Sequence, residues 1–245
     1  MSSLATSALG DYPVCLIKQN RARFAGQTVG RILRGPRNGD AIRGPSAPVV
    51  DEQPLRAELL SISQLEHHAK ALAALHEVES RPTGPDRLLP RLTANEVVLR
   101  EGYELVTDAV KRGRRITPAA EWFLDNYHLI EEQIRTARRH LPKGYSRDLP
   151  RLVNRTSAGY PRVYDIALEL ISHADGRVDA ASLRAFVASY QSVKPFLLGE
   201  LWAIPIMLRL ALLENLRRVA ARVMAGRLER ERASYWVEQM LGVAA

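Results

Sequence analysis

The feature that most constrains the fold is a helical periodicity of apolar residues, which begins near residue 51. In the first such stretch they recur at steps of three and four residues: Leu55, Leu59, Ile62, Leu65, Ala69, Leu72 and Leu75. This spacing places them along one stripe of an α-helix. No alternating pattern typical of a strand is longer than four residues. We therefore predict an all-α fold, a bundle of about six to seven helices.

Breaker residues and capping signals divide residues 51–245 into separate predicted helices. The clearest start is Thr117-Pro118, a capping residue followed by proline at the first helical position. We expect an ordered connector over 141–161, where prolines and glycines are frequent. The predicted helices cover 53–77, 92–112, 117–140, 161–172, 179–193, 198–224 and 228–241.

Residues 1–50 form a basic leader rich in glycine and arginine. The chain has 35 basic and 27 acidic side chains, and the leader carries seven of the former against two of the latter. It thus holds +5 of the net charge of +8. We expect it to be poorly ordered, with a transit peptide or a nucleic-acid arm as alternatives. Its charge predicts weak, salt-sensitive attraction to polyanions or anionic membrane surfaces.

The search for chemical motifs yields no site residues. No phosphate-binding loop, dinucleotide fingerprint or nucleophile elbow occurs. A zinc site needs three or four convergent ligands. His68 and His76 are eight residues apart on one predicted helix, and no cysteine or carboxylate completes a set with them by spacing. We therefore predict no catalytic residues, no metal ligands and no cofactor. The lone Cys15 can form no intrachain disulfide, which favours a reducing compartment.

Charged residues inside apolar stretches need partners or solvent. Residues 196–213 are strongly apolar but contain Glu200 and Arg209, so we predict a buried core helix with paired charges rather than a membrane span. The arginines of 217–232 predict a solvated face, with phosphate binding as the alternative. The carboxylates near Glu121 predict a solvated helix flank, with acid–base chemistry as the alternative.

Five sequence blocks carry a resemblance to a known family. They are LLPRL at 88–92, ITPAAEWFLDNYHLIEEQIR at 116–135, LPKGY at 141–145 with LP at 149–150, GYPRVY at 159–164 and GELWAIPIMLR at 199–209. Together they resemble the N-terminal cytoplasmic region of bacterial cyclic β-1,2-glucan synthases. The resemblance covers roughly 51–245 in the family's own order, whereas the leader does not match.

The resemblance implies a specific but narrow role. Members of that family are large inner-membrane proteins that polymerise glucose from UDP-glucose, cyclise the glucan and carry a phosphorylase-like region. We expect this chain to be a truncated or split N-terminal module without the transferase, membrane or phosphorylase regions. No catalytic residue of the family has a position here to match. The chain alone is expected not to be an enzyme.

The expected partner is the remainder of a cyclic glucan synthase, at the cytoplasmic face of the inner membrane. No specific nucleic acid and no transmembrane segment of its own are expected. Two alternatives remain open: a basic helical protein that binds polyanions, and an independent glycan-handling enzyme. The candidate interaction residues are Glu121, Trp122, Asp125, Asn126, His128, Glu131, Glu132, Arg135, Tyr160, Arg162, Glu200, Trp202 and Arg209.

Overall fold

The computed structural model describes residues 53–55, 57–80, 84–174 and 178–243, and over these residues the fold is all-α, as predicted. The leader and its predicted disorder lie outside the described residues. The helices are α1 (Ile62–Leu75), α2 (Leu88–Lys111), α3 (Pro118–Asp125), α4 (Tyr127–His140), α5 (Arg162–His173), α6 (Ala180–Gln191) and α7 (Leu198–Val243).

The connector between α4 and α5 is ordered, as expected. It contains a 3-10 helix, Tyr145–Asp148, and the short strand β2, Arg151–Leu152. This strand pairs antiparallel with β1, Val78–Glu79, which follows α1. The pair ties the connector to the end of α1.

The prediction that the first helix starts at residue 53 is wrong. α1 begins after Ser61, whose side chain accepts a hydrogen bond from the backbone N–H of Gln64, while the Gln64 side chain accepts one from the Ser61 N–H. This capping box is a strong start signal. Before it, the chain packs through other backbone bonds: the Leu55 N–H donates to Asn215 Oδ1 at 2.8 Å, and the Ala57 N–H donates to the Ser172 carbonyl at 2.8 Å.

The predicted third helix is two helices that meet at Asn126. Its start is confirmed, because the Thr117 side chain accepts from the Ala120 N–H and Pro118 opens α3. At Asn126 the backbone leaves helical geometry, with φ −100° and ψ 6°. The Asn126 side-chain amide donates to the Trp122 carbonyl at 2.8 Å, a local bond that competes with regular helix formation.

The two helices predicted at the carboxyl-terminal end are one helix of 46 residues, α7. Gly226 lies at the predicted junction, and an interior glycine costs only about 1 kcal/mol relative to alanine. Ion pairs hold the turn of the helix that follows this point: Arg227 Nη2 donates to Glu231 Oε1 at 2.8 Å, and Arg114 Nη1 donates to the same oxygen at 2.8 Å. Among the described residues, no helix combines the length and apolar character needed to cross a bilayer.

The core consists of two apolar clusters that share α5. The larger cluster lies between α2, α3, α4, α5 and α7, and includes Leu99, Ile134 and Met207. The smaller one lies between α1, α5 and α6, and includes Leu72 and Phe186. Because α5 contributes to both clusters, nearly all of its residues are buried.

A carboxylate inside the larger cluster organises three arginines. Glu214 is fully buried and accepts from Arg91 at 2.8 and 2.6 Å, from Arg217 at 2.9 Å and from Arg218 at 2.9 Å. The prediction of a solvated arginine face over 217–232 is therefore wrong for Arg217, Arg218 and Arg227, which are all buried. Burial alone would raise the pKa of the Glu214 carboxyl, but the guanidinium groups hold it well below its usual value.

Replacing the Glu214 carboxylate with a neutral amide tests its structural role. We expect Glu214→Gln to lower the free energy of unfolding by about 3–5 kcal/mol, because it leaves buried guanidinium groups without their counter-charge. Urea unfolding followed by circular dichroism measures this. Glu229→Gln, an exposed glutamate on the same helix, is the control and should change stability by less than about 0.5 kcal/mol. Equal effects of the two variants would contradict the prediction.

The lowered pKa of Glu214 also predicts how stability depends on pH. A carboxyl whose pKa is lower in the folded state stabilises the protein above its usual value of 4.5, and this contribution is lost as the pH falls toward the lowered pKa. The stability difference between wild type and Glu214→Gln should therefore be largest near neutral pH and shrink steadily below pH 4.5. Urea unfolding of both proteins across this range is the measurement. A difference that stays constant down to acidic pH would refute the linkage.

Candidate functional site

Six polar side chains line the contact between α1, α5 and α6, and we call them the polar seam. Three of them follow one another at steps of four residues on α5, so they share one face of that helix. The other three come from α1, the residue that follows it, and α6. The six residues are His68, His76, Asp165, Glu169, His173 and Tyr190.

At one end of the seam, His76 bridges two buried partners. Its Nε2 lies 3.0 Å from Asp165 Oδ2, and its Nδ1 lies 2.8 Å from the Tyr190 hydroxyl. Since a carboxylate only accepts, His76 Nε2 donates to Asp165, and in the corresponding neutral tautomer Nδ1 accepts a hydrogen bond from the Tyr190 hydroxyl. Burial raises the pKa of Tyr190 to about 12, so its hydroxyl keeps this proton near neutral pH. This end is a satisfied hydrogen-bond chain.

At the other end, Glu169 faces two histidines. Its Oε2 lies 3.2 Å from His68 Nε2 and 3.5 Å from His173 Nε2. Its Oε1 accepts from Arg155 Nη2 at 2.7 Å. Burial would raise the pKa of the Glu169 carboxyl, but the neighbouring imidazoles of His173 and His68 and the charge of Arg155 lower it. The carboxylate is therefore ionised at neutral pH.

The seam contains a ligand set that sequence spacing did not reveal. We expected no carboxylate to complete a set with His68, yet Glu169 lies beside it, and His68, Glu169 and His173 bring one ligand atom each within 4.8 Å of the others. Glu169 and His173 are four residues apart at the end of the helix predicted over 161–172, and this spacing was a visible signal. The missing information was the packing of α1 against α5, which brings in His68. Such a set can hold a divalent metal ion.

The candidate residues on the third predicted helix form a polar surface. All are exposed except Asn126, which is half-buried at the break between α3 and α4. On α3 and α4 they are Glu121, Trp122, Asp125, His128, Glu131, Glu132 and Arg135.

Trp122 also borders a small pocket between α2, α3 and α7. Gly102, Phe123 and Met224 are among its other walls, and every lining residue is apolar. The pocket therefore offers no polar side chain for acid–base chemistry.

Two candidates lie in the interior and pair with each other. Arg162 donates to Glu200 through Nε and Nη2, both at 2.5 Å, and Arg162 also donates to the Pro195 carbonyl at 2.7 Å. Glu200 is thus buried and paired, as expected, but its partner is Arg162 rather than Arg209. Arg209 donates to Gln133 Oε1 at 3.0 Å.

The two aromatic candidates differ in exposure. Trp202 is 77% exposed near the start of α7. Tyr160 is half-buried, with its ring 5.4 Å from that of Tyr164.

Comparison with known proteins reveals a relative far longer than this chain. Over 211 residues the chain is 33% identical to the cyclic beta-(1,2)-glucan synthase NdvB of Rhizobium meliloti strain 1021. The resemblance predicted from the sequence blocks is confirmed. The aligned part makes up 86% of this chain but only 7% of the synthase. No protein-family model matches the chain.

The hydrogen bond between Tyr190 and His76 can be removed with little change of shape. We expect Tyr190→Phe to lower the free energy of unfolding by about 1–3 kcal/mol, because the buried His76 Nδ1 loses its partner. Tyr235→Phe, at a 56% exposed tyrosine, is the matched control and should change it by less than about 0.5 kcal/mol. Urea unfolding of both variants measures the difference. If Tyr190→Phe were as stable as the control, the bond would contribute nothing to folding.

Proposed function

We propose that the chain is a non-catalytic helical module that docks on another part of a cyclic β-1,2-glucan synthase. The observation that carries the proposal is the alignment of most of this chain to a small fraction of such a synthase. In this proposal the remainder of the synthase holds the activity, and the module supplies a binding surface. Docking would take place at the cytoplasmic face of the membrane that holds the synthase.

The end of α7 is the surface best suited to such docking. The helix is exposed from Arg232 to Val237 and from Gln239 to Gly242. This stretch corresponds to about three turns. Trp236, Val237, Met240 and Leu241 are each more than half exposed and share one side of the helix by their spacing. A contiguous apolar patch on a helix is typical of a protein interface.

The occupant that we propose for this surface is the remainder of the synthase. The relative extends far beyond the aligned segment, so a large partner surface belongs to the same polypeptide in that protein. Trp202, 77% exposed at the other end of α7, and the polar flank of α3 and α4 are proposed as further contacts. The alternative of a polyanion-binding face loses support, because Arg217, Arg218 and Arg227 are buried in ion pairs.

The docking proposal is tested by supplying the chain in trans. A Rhizobium meliloti synthase lacking the segment aligned with this chain is co-expressed with the tagged full chain, and the synthase is isolated from membranes. We expect the chain to co-purify with it. Met240→Glu should reduce recovery about tenfold or more, because it buries a charge in an apolar interface. Gln239→Glu adds the same charge at a neighbouring exposed position on another side of the helix and should leave recovery unchanged.

Two results would contradict the proposal. Failure of the wild-type chain to co-purify, or equal recovery of Met240→Glu and Gln239→Glu, would reject docking through α7. Turnover of UDP-glucose by the purified chain alone would reject its non-catalytic character. Circular dichroism of both variants ensures that a loss of recovery does not reflect unfolding.

A further inference from the structure

The outer end of the polar seam has the composition of a metal site. His68 comes from α1, while Glu169 and His173 lie one turn apart on α5. Two imidazoles and one carboxylate are a donor set found in catalytic zinc sites, which keep one further coordination position open. The side chains of His173 and Glu169 are 7% and 12% exposed, and that of His68 is 25% exposed. The site is therefore shielded on the α5 side and accessible from the His68 side.

The two distances from Glu169 Oε2 to the histidine nitrogens agree with tetrahedral coordination. An ion bound to nitrogen and oxygen at about 2.0–2.1 Å in this geometry holds neighbouring ligand atoms about 3.3 Å apart. Glu169 Oε2 lies 3.2 Å from His68 Nε2 and 3.5 Å from His173 Nε2. All three ligand atoms lie within 4.8 Å of one another. Small side-chain adjustments would suffice to close the set around one ion.

The hydrogen bonds around the three residues orient them for coordination. His173 Nδ1 donates to the Glu58 carbonyl at 2.8 Å, so in the neutral imidazole the lone pair is on Nε2. That Nε2 atom is buried and makes no hydrogen bond of good geometry among the described residues. A backbone carbonyl that fixes the tautomer of a ligating histidine is a recurring feature of metal sites. Arg155 holds the other carboxylate oxygen of Glu169 at 2.7 Å, which directs Oε2 toward the histidines.

An ion pair alone leaves part of this arrangement unexplained. His68 can donate to Glu169 Oε2 through Nε2. The buried His173 Nε2 faces the same oxygen at 3.5 Å without forming a hydrogen bond. A cation between the three atoms would satisfy this nitrogen, the carboxylate and His68 together.

We propose that His68, Glu169 and His173 bind one divalent transition-metal ion of the zinc type. The ion would link α1 to α5 beside the smaller apolar cluster, where both helices contribute core residues. Its open position would face the exposed side of His68, where water completes the coordination. The metal would stabilise the folded chain, since it binds a ligand set that exists only when α1 packs on α5. The proposal is independent of docking to a synthase.

Zinc titration of the full chain tests the proposal. The purified chain is stripped of metal with a chelator, and Zn²⁺ binding is followed by calorimetry, with elemental analysis after dialysis. We expect one ion per chain and a higher Tm with Zn²⁺. His68→Gln should weaken binding about tenfold or more. His67→Gln is the matched control, because His67 is the preceding residue on α1, is exposed and forms a local hydrogen bond with the Ser63 carbonyl.

Cobalt provides a second readout that needs no variant. Co²⁺ added to the wild-type chain should give the intense visible absorption of a tetrahedral site, and Zn²⁺ should displace it. Equal Zn²⁺ affinity in wild type and His68→Gln, an equal loss in His67→Gln, or a Co²⁺ spectrum like that of the hydrated ion would each overturn the proposal. Circular dichroism of the two histidine variants separates a lost ligand from a lost fold.

Discussion

The burial of Glu214 among three arginines is the interaction on which the bundle depends. A carboxylate removed from water is very unfavourable unless cations and hydrogen bonds surround it. Arg91 reaches it from α2, while Arg217 and Arg218 lie within one turn of it on α7. Arg218 also donates to the Gln53 carbonyl, which draws the segment before α1 to the same place. A shift of α2 along α7 would separate these charges, so this cluster fixes the register of the two helices.

A second buried pair fixes the beginning of α7 in the same way. Arg162 opens α5 and binds Glu200 in the first turn of α7 through two parallel hydrogen bonds. The ring of Phe196 lies 4.9 Å from the Arg162 guanidinium and covers it from solvent. With Glu214 further along, α7 is therefore held by charge at two separate points. Apolar packing alone would be less specific, because it tolerates sliding better than a charge pair does.

Local chemistry explains which parts of the fold could be predicted from sequence. Thr117 caps α3 as expected, and Asp179 caps α6 at the start of the helix predicted over 179–193, since a capping side chain acts on backbone within three residues of itself. The capping box at Ser61 was equally local and marks a start that periodicity alone misplaced. The break at Asn126 and the continuity through Gly226 were not predictable in this way, because in each case weak local preferences compete with tertiary packing.

The polar seam depends on contacts between helices that are distant in the sequence, and the sequence pattern does not reveal these contacts. Glu169 and His173 share a helix face, which spacing alone indicates. That His68 joins them depends on how α1 rotates and slides against α5, and no local rule specifies this. Similarly, the arginine-rich stretch that contains Arg217 and Arg218 is typical of a solvated face. Only the placement of Glu214 in the core reverses that expectation. Buried polar groups are where composition predicts least, because their environment is set by distant residues.

The continuity of α7 has a mechanical consequence. Its 46 residues extend about 69 Å, and one part packs against α2, α3, α4 and α5 while the far turns stand clear of the bundle. Pro205, the proline inside α7, lies in the packed part of the helix, so the turns between the bundle and the far end contain no proline that would kink them. A partner that binds those far turns would therefore set the orientation of the whole bundle. A rotation of the bundle would in turn be transmitted along the same helix.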